Sequence, residues 1–222
     1  MNGNETPRYP GCFITLEGLE GVGKSTQAQF VADWFRKAGK PVVLTREPGG
    51  TCVGDSVRTI LLDHTHVQMA YDTELLLMFA ARAEHLDKVI KPALDVGKFV
   101  ICDRFTDSTY AYQGGGRKIG ISRIEMLVAF VQGAFRPDLT LLLDAPPEIA
   151  LARAEKRSTP DRFEGEDRGF FRSVRECYLA LAKAHPGRFR VIDAWLPVER
   201  VQAHIRRELQ ALCRHRSENA CS

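Results

Sequence analysis

Short apolar runs alternate with longer stretches of helical periodicity along this 222-residue chain. The runs are rich in valine, isoleucine, leucine and phenylalanine, and most of them end at a polar or charged residue. Continuous apolar runs of this kind are typical of parallel strands that are covered on both faces. We predict five strands, at residues 12–16, 41–45, 99–102, 139–144 and 189–192.

The stretches between these strands carry apolar residues at helical spacing. They predict helices at 26–38, 53–62, 73–94, 122–134, 170–184 and 197–212, and a shorter helix that starts at Pro147. The helix over 73–94 is apolar on nearly all sides in its first half, which predicts burial, and Pro92 is expected to bend it or start a new turn. Ser122 and Glu125 form a capping box at the start of their helix.

Strands that alternate with helices indicate an α/β fold, here a five-stranded parallel sheet sandwiched by helices in a single domain over residues 1–222. We expect residues 1–10 to form a flexible arm and residues 214–222 a frayed tail. The glycines of 114–116 are expected to form a flexible loop. The charge-dense segment 153–168 favours a solvated helix face when taken alone, but it also suits the mobile lid of a phosphoryl-transfer enzyme.

Composition narrows the possible functions only slightly. The net charge of +3 does not by itself indicate a nucleic-acid or membrane partner, and 44% hydrophobic residues suffice for a packed core. We find no apolar stretch long enough to span a membrane and no signal peptide before the first strand. The six cysteines show no metal-binding spacing, which is typical of a reduced, cytoplasmic protein.

The strongest chemical signal is a phosphate-binding loop directly after the first strand. The sequence fits G-x-x-x-x-G-K-[ST], and its strand–loop–helix context is the one that this motif requires. Glycines let backbone N–H groups surround phosphate oxygens, and the helix N-terminus adds positive charge. Lys24 can reach the β- and γ-phosphates, and the Ser25 hydroxyl can ligate Mg²⁺. The ATP-binding residues predicted here are Gly18, Leu19, Glu20, Gly21, Val22, Gly23, Lys24, Ser25 and Thr26.

Two further strands end in charged residues. Arg46 follows the second strand, where a surface arginine beside a tight turn and an arginine aimed at a second anion are evenly matched interpretations. Asp103 and Arg104 follow the third strand, at the sheet edge where open α/β sheets bind ligands. There an aspartate can hold Mg²⁺ through water, and an arginine can fork onto a phosphate.

A third arginine is predicted to be buried. Arg82 lies one helical turn after Met78 and Phe79 and shares their face. Because a buried arginine needs a partner, we expect either Glu84 or another structural acid, or a polar ligand.

Two classes of function remain open at this point. A phosphotransferase would use the phosphate-binding loop for ATP and the three arginines for a second anion. A nucleotide-dependent switch or binding module would need the loop alone. We find neither an N-K-x-D base-reading motif nor a D-x-x-G segment placed to sense a γ-phosphate, so the arginines favour the enzyme.

Five motifs together resemble the thymidylate kinase family. Beside the phosphate-binding loop at 18–26, they are TREPGGT at 45–51, FAAR at 79–82, DRF at 103–105 and AYQGG at 111–115. Their order and spacing match that family over about residues 12–205. The resemblance implies transfer of the γ-phosphate of ATP to dTMP, giving dTDP for dTTP synthesis, with Mg²⁺ as cofactor. It also implies a mobile lid and a homodimer.

The resemblance also assigns roles by position. It implies that Arg46 and Arg104 hold the dTMP phosphate, that Arg82 hydrogen-bonds the thymine, and that Ser25 and Asp103 serve the metal. The implied substrate-binding set is Glu20, Arg46, Pro48, Phe79, Arg82, Arg104, Thr109, Tyr112 and Gln113, and the implied catalytic set is Lys24, Asp103, Arg104, Arg153 and Arg157. A kinase of another pyrimidine nucleotide or nucleoside, such as dUMP, is the alternative within this fold.

The chain departs from the family pattern in two places. The thymine-stacking phenylalanine of the family usually lies four residues before the base-reading arginine, but Met78 occupies that position here and Phe79 comes one residue later. The family places its catalytic arginine either in the phosphate-binding loop, where this chain has Gly21, or in the lid. We therefore predict a lid arginine, Arg157 first and Arg153 second.

Overall fold

The computed structural model describes residues 9–66, 68–155, 162–163 and 165–220. One sheet of five parallel strands runs through these residues, with strand order β2-β3-β1-β4-β5. The strands are β1 (Cys12–Glu17), β2 (Val42–Arg46), β3 (Phe99–Asp103), β4 (Leu139–Asp144) and β5 (Phe189–Asp193). The predicted fold class is confirmed, and each strand lies within one residue of its prediction.

Helices connect successive strands and cover both faces of the sheet. They are α1 (Lys24–Lys37), α2 (Cys52–Leu62), α3 (Tyr71–His85), α4 (Lys91–Asp95), α5 (Thr106–Thr109), α6 (Ile121–Val131), α7 (Pro147–Ala154), α8 (Arg168–Ala184) and α9 (Val198–Ala220). π-Helical turns join α3 to α4 and follow α5, at Leu86–Ile90 and Tyr110–Gly116. No helix of the described residues combines the length and apolarity that a membrane crossing would need.

The three inner strands form the centre of the core. Their apolar side chains are almost fully buried because helices pack against both faces, whereas the edge strands β2 and β5 are only partly covered. The Phe13 ring stacks on Phe135 and meets Phe105 edge-on, and Phe35 packs on Phe99 across the other face. Burial of continuous apolar strands thus fixes the sheet that carries the polar residues at its carboxyl edge.

The predicted flexible loop at the three glycines is wrong. Gly114 to Gly116 belong to a π-helical turn that packs closely against α8. A Cβ at Gly116 would collide with the Phe170 ring, and a Cβ at Gly115 would lie 2.8 Å from that of Cys177. The glycines therefore permit a close approach of two helical segments, which a local sequence pattern does not distinguish from a flexible loop.

Three features of the predicted helices also need correction. Helix α6 begins at Ile121 with Gly120 as its N-cap and no side-chain capping bond, so the capping box at Ser122 is wrong. Helix α9 ends at Ala220 rather than at Leu212 and so includes most of the predicted tail. The predicted helix over 73–94 contains a π-helical turn before Pro92, and Pro92 starts α4 as expected.

Parallel pairing brings three polar strand ends to one edge. Leu16 of β1 and Arg46 of β2 are both register partners of Asp103 in β3. The segments that follow β1, β2 and β3 therefore meet in space, although more than fifty residues separate the last two along the chain.

Candidate active site

The phosphate-binding loop connects β1 to α1 in a tightly packed turn. Gly21 has a φ of 77°, and a Cβ there would collide with the Ala150 carbonyl of α7. Gly23 is the N-cap of α1, and no side chain caps the N–H groups of that helix. The first turn of α1 thus presents backbone donors and the positive end of the helix dipole, which is the arrangement that binds phosphates.

Lys24 is almost completely buried beside this turn. Its Nζ donates a hydrogen bond to the Leu19 carbonyl at 2.6 Å. Burial, with a smaller contribution from Arg104, lowers the pKa of Lys24 to about 8. Its ammonium is depleted of water and forms no ion pair with the residues that the structure describes, so it gains most from an incoming phosphate.

Ser25 and Asp103 offer oxygen ligands beside the phosphate-binding loop, and both border the cavity that Lys24 also lines. The Ser25 hydroxyl donates to Asp103 Oδ2 at 2.7 Å. A hydroxyl beside a carboxylate is a donor set that Mg²⁺ accepts, with phosphate oxygens and waters completing the shell. The described residues contain no cluster of three or more His, Cys, Asp or Glu side chains that could hold a metal without such ligands.

Arg104 lies between two cavities and is held from several sides. Its backbone is in the left-handed region, with a φ of 73°. Its Nη2 donates to Glu20 Oε1 at 2.7 Å and to the Tyr112 hydroxyl at 3.0 Å. Its Nη1 donates to the Gly18 carbonyl, Ser108 Oγ and the Tyr178 hydroxyl at 3.0–3.2 Å. The guanidinium is therefore fixed in place. It borders two cavities, one lined also by Lys24 and the other lined also by Arg82.

Glu17 accepts hydrogen bonds from residues that surround Arg104. It accepts the Phe105 N–H at 2.7 Å, the Ser108 hydroxyl at 2.6 Å and the Tyr178 hydroxyl at 2.9 Å. Burial, together with the charge of nearby Asp107, raises the pKa of Glu17 to about 7. The residue thus orders two of the hydroxyls that contact Arg104.

Arg82 is the buried arginine that the helix pattern predicts, and its partner is Glu47 rather than Glu84. The Arg82 Nε donates to Glu47 Oε2 at 2.8 Å, and Nη2 donates to Thr109 Oγ1 at 3.0 Å. His85 Nδ1 lies 3.0 Å from the other Glu47 oxygen. The remaining nitrogen, Nη1, is buried and has no hydrogen-bond partner among the described residues. A buried donor of this kind calls for an acceptor from a ligand or water.

The structure brings most of the predicted acceptor residues into one cavity. This acceptor cavity is lined by Glu20, Pro48, Arg82, Arg104, Thr109, Tyr112 and Gln113. Met78 lines it as well, whereas Phe79 does not. Helix α3 turns the Phe79 ring into an apolar cluster with α6, 4.9 Å below the Arg82 guanidinium.

Arg46 lies outside the acceptor cavity. It borders the adjoining cavity, the phosphate cavity, together with Lys24, Ser25, Asp103 and Arg104. Its Nη2 is 3.5 Å from Asp55 Oδ1, and its side chain is largely exposed. Arg46 therefore fits both interpretations of the sequence. It is a surface arginine beside a tight turn, and it also borders the phosphate cavity.

The lid prediction is covered only in part by the described residues, and Arg157 lies outside them. Arg153 donates to the carbonyls of Ala194 and Trp195, at 2.8 and 3.3 Å. It borders a third cavity behind the phosphate-binding loop, lined also by Thr26 and Val198. Arg153 and Arg104 therefore line different cavities.

Sequence reasoning missed several residues that line the acceptor cavity. Arg58 of α2 borders both cavities and donates to the Pro48 carbonyl at 3.1 Å. Phe163 closes the acceptor cavity near Tyr112, with ring centroids 6.0 Å apart. The available signal for Phe163 was a single aromatic residue in a segment otherwise dense in charge. Arg58 gave no local signal, because it resembles any other exposed helix residue.

A site that offers one cavity to nucleotide phosphates and an adjoining cavity to a second polar ligand meets the requirements of group transfer between them. Combined with this sheet order, it defines the class of P-loop nucleoside monophosphate kinases. A family model described as thymidylate kinase matches residues 16–205. The chain therefore belongs to the thymidylate kinase family.

Individual relatives agree with this assignment. The chain is 57% identical to a thymidylate kinase of Ectopseudomonas mendocina, over 88% of this chain and 93% of that one. It is 54% identical to a thymidylate kinase of Bordetella petrii, over 91% and 96% of the two chains. A crystal structure of thymidylate kinase from Ehrlichia chaffeensis superposes with a TM-score of 0.73 at 36% identity, covering 90% of this chain and 98% of that chain.

Proposed function

We propose that this protein transfers the γ-phosphate of ATP to dTMP and releases ADP and dTDP. The observation that carries the proposal is the buried Nη1 of Arg82, which has no hydrogen-bond partner among the described residues and belongs to a side chain that lines the acceptor cavity. A thymine ring has a carbonyl at its 4-position that can accept from this donor, and Gln113 is available beside it. Met78 and Phe105 supply the apolar walls that a flat ring with a methyl group requires.

Each phosphate has its own set of donors in this proposal. Lys24 and the first turn of α1 hold the ATP phosphates, and Arg104 holds the dTMP phosphate where its cavity meets the phosphate cavity. Arg46 neutralises charge at the edge of the phosphate cavity. Ser25 and Asp103 would hold Mg²⁺, which would supply positive charge to the phosphates during transfer.

Little covalent chemistry is required of the protein. The attacking phosphate oxygen of dTMP is already anionic near pH 7, so no general base is needed. The residues accelerate the transfer by aligning donor and acceptor phosphates and by stabilising charge in the transition state. We assign the transition-state contribution of the lid to Arg157 first and to Arg153 second.

A coupled ADP-release assay tests the acceptor. ATP and Mg²⁺ are offered with dTMP, dUMP, dCMP, dGMP or thymidine in parallel. We expect turnover with dTMP well above the others, with dUMP second, because loss of one methyl group changes discrimination by only about 1–3 kcal/mol. Preference for another acceptor would contradict the substrate, and absence of turnover with every acceptor would favour a nucleotide-binding switch.

Arg157→Ala and Arg153→Ala form a matched pair for the lid. If Arg157 acts in the transition state, Arg157→Ala lowers kcat by about 10³-fold or more and leaves the KM for dTMP nearly unchanged. Arg153→Ala is expected to raise the KM for ATP instead, because Arg153 borders the cavity behind the phosphate-binding loop. A reversed pattern would assign the transition-state role to Arg153.

We further propose a cytoplasmic homodimer. Exposed apolar side chains on α3 and α6 support the dimer: Leu76, Met126 and Phe130 are 56%, 68% and 87% exposed. The cysteines of the described residues are free thiols, which is consistent with a reducing compartment.

Phe130→Glu should give a monomer in size-exclusion chromatography with light scattering, whereas Val191→Glu, at an exposed apolar residue of β5, should leave the dimer intact. A monomeric wild-type protein would contradict this proposal.

A further inference from the structure

A fully buried carboxylate, Glu74 of α3, lies behind the acceptor cavity. Its Oε1 accepts from Gln113 Nε2 at 2.7 Å and, over a longer distance, from Arg117 Nε at 3.4 Å. Its Oε2 accepts from Arg117 Nη2 at 3.3 Å and lies 2.7 Å from Arg162 Nη2, close enough for charge pairing but not aligned for a hydrogen bond. Glu74 is completely buried and does not line the acceptor cavity. Its position between two guanidiniums and one amide suggests a role that packing alone does not require.

We propose that Glu74 is the positioning residue that selects the acceptor base. It fixes the Gln113 amide with its nitrogen toward Glu74 and its carbonyl toward the acceptor cavity. The cavity then presents one donor, Arg82 Nη1, beside one acceptor, Gln113 Oε1. This pair matches a pyrimidine with a 4-carbonyl and an N3–H, and it rejects a pyrimidine with a 4-amino group. The inference rests on the proposed function in that it assumes a pyrimidine nucleotide in this cavity.

The orientation of Gln113 follows from the chemistry of its neighbour. A primary amide can present either its NH₂ or its carbonyl to a partner, whereas an ionised carboxylate only accepts. Arg117 and Arg162 also offer Glu74 only donors, so every polar neighbour of this side chain matches an acceptor. A reversed Gln113 would place a carbonyl oxygen against a carboxylate oxygen at the 2.7 Å distance that the amide nitrogen now occupies. The buried charge therefore determines which polar atom of Gln113 faces the ligand.

The consequence for the ligand is discrimination by unpaired groups. A 4-amino group would point its hydrogens at Arg82 Nη1, donor against donor. The N3 lone pair of such a base would face Gln113 Oε1, acceptor against acceptor. Polar groups left unpaired in a buried site are the strongest source of base selectivity available to a pocket of this kind.

The two arginines make an isosteric test possible. In Glu74→Gln, the new amide has one acceptor and one donor end. Its oxygen must turn toward Arg117 and Arg162, because these guanidiniums only donate. Its NH₂ then faces Gln113, and Gln113 must reverse to accept from it. The substitution keeps the side-chain volume and loses only the long 3.4 Å contact of Arg117 Nε with the atom that faces Gln113. Gln113 then presents an NH₂ instead of a carbonyl to the base.

The primary experiment compares four proteins: wild type, Glu74→Gln, Gln113→Glu and the double variant. For each, kcat/KM is measured with dTMP and with dCMP. We expect Glu74→Gln to lose about 10–100-fold with dTMP, mainly through KM, and to lower the ratio of dTMP to dCMP by at least about tenfold.

The double variant exchanges the two side-chain types. The carboxylate now at position 113 accepts from the amide now at position 74, and it again presents an acceptor to the N3–H of the base. The ratio of dTMP to dCMP should therefore return to within about threefold of wild type. Gln113→Glu alone places two carboxylates together in a buried site and should be poorly active.

Glu166→Gln is the matched control. Glu166 also pairs with Arg117, through Nη1, but the structure gives it no contact with Gln113. Its neutralisation perturbs the same arginine and should leave the base preference unchanged. Glu74→Asp, which keeps an acceptor-only side chain, should also keep the preference even where it lowers stability, so the idea remains testable if Glu74→Gln folds poorly.

Equilibrium binding of dTMP and dCMP, measured by calorimetry without ATP, separates this inference from the proposed reaction. If wild type binds dTMP selectively, Glu74→Gln loses that selectivity and no acceptor is phosphorylated, then the reaction is wrong and the role of Glu74 stands. If Glu74→Gln weakens dTMP and dCMP by the same factor, Glu74 is a structural residue and the inference is overturned. Failure of the double variant to restore selectivity would overturn it equally.

Discussion

In the proposed function, the phosphate-binding loop and the acceptor cavity each hold an anionic nucleotide, but the two sites are built in opposite ways. The loop is one contiguous segment, and it presents backbone N–H groups, a helix end and one lysine. The acceptor cavity draws side chains from α2, α3, α5, a π-helical turn and the segment after β2. Its arginines Arg82 and Arg104 are fixed by the carboxylates of Glu47 and Glu20, whereas the hydrogen-bond partner of Lys24 within the described part of the chain is a carbonyl.

This difference indicates where stability and function are coupled. A buried lysine without an anionic partner lowers the stability of the fold until a ligand binds. Its replacement by an apolar residue should therefore cost little free energy of unfolding. Arginines that are already paired in the core support both the fold and the recognition of the ligand. The four predictions below probe this contrast.

The largest effect is expected for Arg82→Met. The substitution leaves Glu47 buried opposite His85 without its guanidinium partner. Breaking a buried ion pair by removing one member costs about 3–5 kcal/mol, so the free energy of unfolding in urea should fall by that amount. Arg36→Met, which removes a half-exposed pair with Asp33, is the control and should change stability by less than about 0.5 kcal/mol. A loss below about 1 kcal/mol for Arg82→Met would remove the contrast.

Lys24→Met should show the reverse pattern. We expect kcat to fall about 10²–10³-fold, because a preorganised cation at the transferring phosphate is lost. The free energy of unfolding should stay constant or rise, because burial already disfavours the ammonium and lowers its pKa to about 8. Lys37→Met, in the last turn of α1, controls for loss of positive charge. Destabilisation comparable to that of Arg82→Met would show that both sites are coupled to the fold in the same way.

The ends of the five strands and the phosphate-binding loop could be predicted from sequence because each depends on a local pattern. Periodicity predicts β1 and α1, and the glycines between them have a fixed chemical use. Burial of Arg82 was predictable from its helical face, but its partner Glu47 lies thirty-five residues away. The position of Met78 rather than Phe79 on the cavity wall depends on the rotation of α3 against α6, which is a tertiary property.

Errors in the remaining elements have the same origin. The glycines of the second π-helical turn have the composition of a flexible loop. Their presence is explained by the α8 side chains packed against them, Cys177 at Gly115 and Phe170 at Gly116. The capping box at Ser122 was a valid local option, but the helix begins one residue earlier. Tertiary packing overrides local preference at such positions.

A smaller effect is expected at Glu17, which lies under Arg104 between the two cavities. The pKa of Glu17 is raised from its usual value near 4.5 to about 7, chiefly by burial. The folded protein therefore holds a proton that the unfolded chain releases. The resulting stabilisation is fully present below pH 4.5 and is lost as the pH rises through 7, a change of roughly 3 kcal/mol.

Urea unfolding at pH 5 and pH 8 measures this change. The fall in the free energy of unfolding from pH 5 to pH 8 should be smaller in Glu17→Gln by roughly 3 kcal/mol, because glutamine does not titrate. Parallel pH dependences of the two proteins would contradict the raised pKa.

The smallest effect is a proton taken up with ATP. At pH 8 about half of the Lys24 side chains are protonated, because the pKa lies near 8. A bound phosphate raises that pKa, so ATP binding at pH 8 should take up about half a proton, and binding at pH 6.5 almost none. Calorimetry in buffers of different ionisation enthalpy measures the number of protons taken up per ATP bound. The uptake should be absent in Lys24→Met, and equal uptake in that variant would assign the proton to another group.

Arg104 carries an anion of its own, the carboxylate of Glu20, at 2.7 Å. Any phosphate that approaches this guanidinium therefore competes with a tethered rival at high effective concentration. The rival cannot diffuse away, so it is ready to take back the arginine as soon as the phosphate loosens. Such exchange limits affinity but speeds departure, which serves an enzyme whose product must leave with one phosphate more than its substrate. For inhibitor design, a phosphate mimic at Arg104 has to displace Glu20, which keeps the Tyr112 hydroxyl at 2.6 Å as a donor.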